Sequence, residues 1–147
     1  MGLDELYTEV ITEYGRSKKH RHGLEHPTVE QRGVNPSCGD DIHLELTVED
    51  GVIVAVGFTG AGCAISEAST AIMAELIEGK AVGEALDLLR RFVGMIQKTV
   101  TDEAELEPLE DGIALRGIAN MPARVKCAVL PWRTLDQAIK KLEHERA

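Results

Sequence analysis

The chain has 147 residues, enough for one domain with a real core, and 44% of them are hydrophobic, which excludes a disordered chain. Its 25 acidic against 16 basic residues leave a net charge of −9, which argues against nonspecific nucleic-acid binding. Aromatics are only 3% of the chain, so the core must be aliphatic, and no apolar run reaches the length of a membrane span.

Leu3, Leu6, Tyr7, Val10, Ile11 and Tyr14 recur at helical spacing, with Asp4 near the start and Gly15 after the end, so the pattern predicts an amphipathic helix over about 3–14. The same stretch is acidic and amphipathic rather than a leader, which makes the cytoplasm the expected compartment. Residues 16–27 are basic, rich in His and closed by Pro27, and read as a loop. His20, His22 and His26 lack a thiol or carboxylate spaced with them, so a solvated polar loop is expected rather than a second metal site.

The period then changes to two. Ile42, Leu44, Leu46 and Val48 alternate with His43, Glu45, Thr47 and Glu49, as in a half-buried strand. His43 falls on the polar face and is not expected as a ligand of the cysteine site. Glu49-Asp50-Gly51 reads as a hairpin turn. The return strand runs over 52–58, with Val52, Val54, Val56 and Phe58 on one face. Residues 59–62 are then expected to turn the chain.

A helix is expected over 63–79, where Ile65, Ala68, Ile72, Leu76 and Ile77 share a face and Gly79 marks the stop. Another is defined by Val82, Leu86, Leu89, Phe92, Val93 and Ile96, weakly capped because Ala81 stands where Ser or Thr would serve. Residues 101–111 are acidic, contain Pro108 and read as an exposed loop. A short helix is expected over 113–120, ending before Met121-Pro122. The last helix is expected to start between Cys127 and Pro131, with Trp132, Leu135, Ile139 and Leu142 as its buried stripe and Lys140, Lys141 and Arg146 at its C-terminal end.

The chain's three cysteines fall at the edges of these expected elements. In the reducing cytoplasm they read as thiols, metal ligands or catalysts before disulfides. Cys38 and Asp40 lie two apart on a Pro/Gly-bent loop, while Cys63 and Cys127 are placed near helix N-termini, where the positive end of the helix dipole suits an anion. Three thiolates and one carboxylate make four ligands, and zinc prefers tetrahedral sites with such donors. The alternative, from spacing alone, is three unrelated small buried residues, since free Cys is often buried and no C-x-x-C pair is present.

Three motifs, N-P-S-C-G-D at 35–40, G-A-G-C-A-I-S at 60–66 and A-R-V-K-C-A-V-L-P-W at 123–132, resemble in order the cysteine motifs of the U-type iron–sulfur assembly family. The resemblance covers essentially all of residues 1–147 and identifies them as one such domain. Lys126 stands where the IscU-like scaffold branch usually carries His, and the stretch between the second and third cysteines is long. Both features are similar to the SufU-like branch. The resemblance implies an α+β fold of the SufE/NifU-like kind, a small antiparallel sheet packed by several helices. It implies zinc on Cys38, Asp40, Cys63 and Cys127, and a SufS-type cysteine desulfurase as partner with a downstream iron–sulfur scaffold. Cys38 would be the sulfur acceptor and Arg124 would assist at the interface; otherwise Arg124 is a surface or salt-bridging residue. The alternative function is that of a scaffold holding a 2Fe–2S cluster on the same ligands, because cluster ligation also uses thiolates.

Overall fold

The computed structural model of the chain describes residues 3–146, and side chains from 8 to 145. It comprises α1 (Leu3–Arg16), β1 (Val29–Asn35), β2 (Asp40–Glu49), β3 (Val52–Ala61), α2 (Ala64–Ile77), α3 (Val82–Ile96), α4 (Glu103–Leu106), a 3-10 segment (Glu107–Asn120) and α5 (Pro122–Arg146). The strands form one antiparallel sheet in the order β1-β2-β3, so the expected α+β architecture holds. No described helix is long and apolar enough to cross a membrane.

The inner face of the sheet is built from Val29, Ile42, Leu44, Leu46, Val48, Ile53, Val56 and Phe58, all buried. The helices cover it. Trp132 of α5 is fully buried and stacks on Phe92 of α3, with ring centroids 4.7 Å apart. Apart from that pair and Phe58 the centre, among the described residues, holds no further aromatic ring and is mainly aliphatic. Packing of α1 on this core uses Val10, Ile11 and Tyr14, and the Tyr14 hydroxyl donates to Asp111 at 2.6 Å. The expected contributions of Asp4, Leu3, Leu6, Tyr7 and Arg146 lie outside the described side chains.

Helices α2 and α3 match their expected spans. Cys63 caps α2, its Sγ accepting from the Ser66 amide at 3.5 Å, while Ala81 supplies α3 with no side-chain cap. The hairpin turn is also as expected, with Asp50 and Gly51 at φ 52° and 77°, the left-handed pair that matches strand twist.

Several expectations are corrected. Strand β1 lies in a stretch with no legible strand pattern; its inward positions are Val29, Gln31, Gly33 and Asn35, and Gly33 is needed because Thr134 of α5 occupies the space of a Cβ there. On β3 a register shift after Thr47 pairs Val48 with Ile53 and Thr47 with Ala55. The bulge changes the phase of the strand, so Ile53 is buried and Val54 is 43% exposed. The strand also runs on through Gly60 to Ala61 instead of turning at 59–62. Residues 101–111 are not an exposed loop: Asp102 caps α4, and Leu106 and Leu109 anchor the segment in the core. The helix expected over 113–120 is the end of a 3-10 run broken at Glu110, which has φ 49°. Finally, α5 starts at Pro122, so Cys127 and Pro131 lie inside it. Proline at the first helical position needs no amide partner, so Pro122 starts the helix where it was read as a stop.

Residues 16–27 form the expected loop beyond the end of α1, but His20 is buried rather than solvated. Its Nε2 lies 3.2 Å from Glu78 Oε2, and its carbonyl accepts from the Phe58 amide at 2.9 Å. The loop thus follows the free edge of β3 and then crosses the outer face of the sheet, where Leu24 and the His22 carbonyl fill the space above Gly57.

Candidate metal and sulfur centre

Strands β1 and β2 are one hairpin, with Asn35 paired to Asp40. Cys38 lies on the loop 36–39 between them. The loop closes with the Cys38 amide donating to the Asn35 carbonyl at 3.2 Å, and Gly39, at φ 71°, makes the bend that returns the chain to Asp40. Alternation along β2 sends Asp40 inward with Ile42 and Leu44, so its carboxylate is fully buried.

A buried carboxylate requires donors. Asp40 Oδ1 accepts from the Cys63 amide at 2.8 Å, and Oδ2 accepts from Asn35 Nδ2 at 3.4 Å. Gly62 lets the strand end approach, since a Cβ there would stand 2.8 Å from Asp40 Oδ1 and 3.0 Å from Ser66 Oγ. Cys127 arrives from within α5 and is fully buried, whereas Cys38 is half-exposed. Their Sγ atoms are 2.9 Å apart, and Asn35 Nδ2 also lies 3.7 Å from Cys127 Sγ. Burial first, and then hydrogen bonding with Cys38, Cys63 and Asp40, pushes the Cys127 thiol well above the usual range.

The donor atoms of Cys38, Asp40 and Cys127 all lie within 4.8 Å of one another. A tetrahedron with zinc–sulfur bonds of ~2.3 Å has donor–donor edges of about 3.8 Å, so this cluster has the donor chemistry of a zinc site, and the 2.9 Å between the Cys38 and Cys127 sulfurs would have to widen to admit the ion. Cys63 is outside that mutually close set. It meets the cluster through its amide, which holds Asp40, and its thiol is close enough to help push the Cys127 thiol up. Three of the four expected ligands are thus gathered and the fourth borders them.

Arg124 stands one turn before Cys127 on α5. A hydrogen bond to Cys127, and the field of Cys63, Cys38 and Cys127, push its guanidinium further above its ordinary value. Together with Ser37, Cys38, Pro122, Ala123 and Lys126 it lines an open depression of about 390 Å³. Cys38 therefore faces a basic opening, while Cys127 closes the inner side. Lys126 is exposed.

Asn35 is the residue that the sequence reading underused. It is 6% exposed and touches both Asp40 and Cys127. The available signal was its place in the same six-residue motif as Cys38 and Asp40.

The NifU-like N terminal domain family matches residues 6–147. The chain is 43% identical over 137 residues to the iron–sulfur cluster assembly scaffold protein IscU of Thermotoga maritima, covering 93% of this chain and 94% of that one. It is 35% identical over 142 residues to the zinc-dependent sulfurtransferase SufU of Bacillus subtilis, covering 96% and 94%. Its structure is similar, with TM-score 0.82 and 39% identity over 93% of this chain and 98% of the other, to a SUF-system scaffold protein of Fervidobacterium islandicum. The chain belongs to the NifU-like N-terminal domain family of U-type iron–sulfur assembly proteins.

Proposed function

We propose that this chain works in iron–sulfur cluster assembly as a zinc-dependent sulfurtransferase, taking sulfur from a SufS-type cysteine desulfurase and passing it to a downstream scaffold. The observation that carries this reading is the asymmetry of the thiols. Cys38 is half-exposed on a hairpin loop at a basic opening, and Cys127 is fully buried in a helix. A sulfur acceptor must reach a partner's persulfide, and a loop thiol can move at less cost than one packed inside a helix.

Cys38, Asp40, Cys63 and Cys127 would hold the zinc. When bound, zinc supplies thiolate character and shields the sulfurs from oxidation without itself changing redox state. The Cys38 thiolate attacks the outer sulfur of the desulfurase persulfide. A Cys38 sulfur–sulfur bond forms, the persulfide bond breaks, and the desulfurase sulfur leaves as a thiolate, with no net oxidation. Arg124 offsets the negative charge gathered at the thiols. Met121, beside Pro122 at the rim, is 48% exposed and offers an apolar contact to the docking partner.

A second reading is favoured by the Thermotoga relative, which is named as a scaffold. The same thiolates and carboxylate suit a 2Fe–2S cluster. Desulfurase turnover separates the two. Under the first reading, zinc-loaded protein accelerates cysteine turnover many-fold and the zinc-free protein does not. Under the second, turnover is insensitive to zinc, and ferrous iron with sulfide yields a stable visible chromophore on the chain.

A further inference from the structure

The outer face of the sheet carries a second group of metal-ligating side chains, separate from the thiols. Glu30 of β1 and His43 and Glu45 of β2 each place one donor atom within 4.8 Å of the other two. The strand register explains the grouping. Glu30 pairs directly with Glu45, and His43 lies two residues before Glu45, so all three project from the same face. Asp40 lies on the opposite, inner side of the same strand.

Glu45 distinguishes this group from an ordinary surface ion pair. It is only 7% exposed, and among the described residues it has no hydrogen-bond or ion-pair partner. The loop 17–28 crosses above it, and a Cβ on Gly23 would stand 3.1 Å from Glu45 Oε2. A carboxylate so nearly covered, with no protein partner, carries a charge that a bound cation would offset. Neighbouring cations do not relieve it. Arg32 is held by Asp41 through bonds of 2.9 and 2.6 Å, and Lys141 donates to the backbone carbonyl of Glu30 at 3.0 Å. His43 Nε2 lies 3.0 Å from Glu30 Oε1.

We propose that Glu30, His43 and Glu45 form a second divalent-cation site, of the zinc class, that ties β1 to β2 on the outer face beneath the 17–28 loop. One imidazole and two carboxylates suit zinc and its neighbours; magnesium and calcium prefer all-oxygen sets. Three protein donors leave the remaining positions to water. The site is independent of the sulfur chemistry, since it lies across the sheet from Cys38 and Cys127.

Zinc titration of the full chain, followed by calorimetry and by metal analysis after gel filtration, tests this directly. Two equivalents should bind, and magnesium should not replace the second. His43→Ala and Glu45→Gln should each weaken the second equivalent at least about tenfold, the lower range for disturbing even an outer partner of a ligand, and leave the first intact. Glu30→Gln, at an exposed position that does not threaten the fold, should do the same. A protein that binds a single equivalent, or a second equivalent that survives in Glu30→Gln and Glu45→Gln alike, overturns the proposal. The first result would leave His43 as the hydrogen-bond partner of Glu30 and nothing more. The second would place the extra zinc on other surface histidines.

Discussion

Cys38 and Cys127 are 89 residues apart in sequence, yet their Sγ atoms lie 2.9 Å apart. One sits on the β1–β2 hairpin loop and the other in the second turn of α5, so this contact joins the sheet to the C-terminal helix. Asp40 and the Cys63 amide add the start of α2 to the same point. Metal bound there would bridge all three segments.

Removal of the metal should therefore lower stability. A ligand that binds only the folded state stabilises it by about 4 kcal/mol at a thousandfold excess over its Kd. Zinc-loaded protein should melt well above chelator-stripped protein, by a margin that grows with free zinc. Equal melting temperatures would separate the cysteine cluster from any shared site.

Asn35→Ala should loosen the site without touching a ligand. The side chain donates to Asp40 and approaches Cys127, so its loss frees both. Partners of this kind are worth about 10–100-fold in metal affinity. The cost to folding is expected near 1–2 kcal/mol. Competition with a chromophoric chelator measures the first and denaturant unfolding the second. Unchanged zinc affinity would reduce Asn35 to a hairpin-closing residue.

Gly62→Ala tests the close approach of β3 to the carboxylate. The added methyl would press on Asp40 Oδ1 and Ser66 Oγ. Overpacking of this kind costs about 1–3 kcal/mol, and the strain falls on the carboxylate proposed as a ligand. Zinc retention should drop along with the melting temperature. Gly83→Ala, in α3 where a Cβ meets nothing within 4 Å, is the matched control: zinc retention should stay unchanged and the melting temperature should not fall.

Much of the architecture was legible because aliphatic periodicity was strong. Helices α2 and α3, strand β2 and the Asp50-Gly51 turn all announced themselves by period or turn chemistry. Strand β1 did not, because its two valines, Val29 and Val34, point to opposite faces and its remaining inward places are held by Gln31, Gly33 and Asn35. The bulge in β3 inverted the expected face at 53–54, with Val56 and Phe58 inward as expected, because no local residue signals a register shift. The 3-10 segment hid its core contacts behind acidic neighbours.

At the site, Cys38 was legible as a loop residue and Cys63 as a helix-start residue, whereas Asp40, read as part of the loop, opens β2. The depth of Cys127 was not legible, because Met121-Pro122 suits the end of one helix as well as the start of another, and here Pro122 begins α5. The hairpin that presents Cys38 was hidden with β1. Likewise, His43 was correctly placed on the polar face, but its grouping with Glu30 and Glu45 needed the register of the unseen strand.

The central claim is that Cys38 accepts the sulfur while Cys63 and Cys127 hold the metal. It is tested by incubating the zinc-loaded protein with a cysteine desulfurase and cysteine, trapping persulfides by alkylation, and mapping them by mass spectrometry. Persulfide is expected on Cys38 alone, and Cys38→Ser should abolish transfer while the far-UV circular dichroism stays unchanged. Persulfide on Cys63 or Cys127 with Cys38 bare, or full transfer in Cys38→Ser, would contradict it.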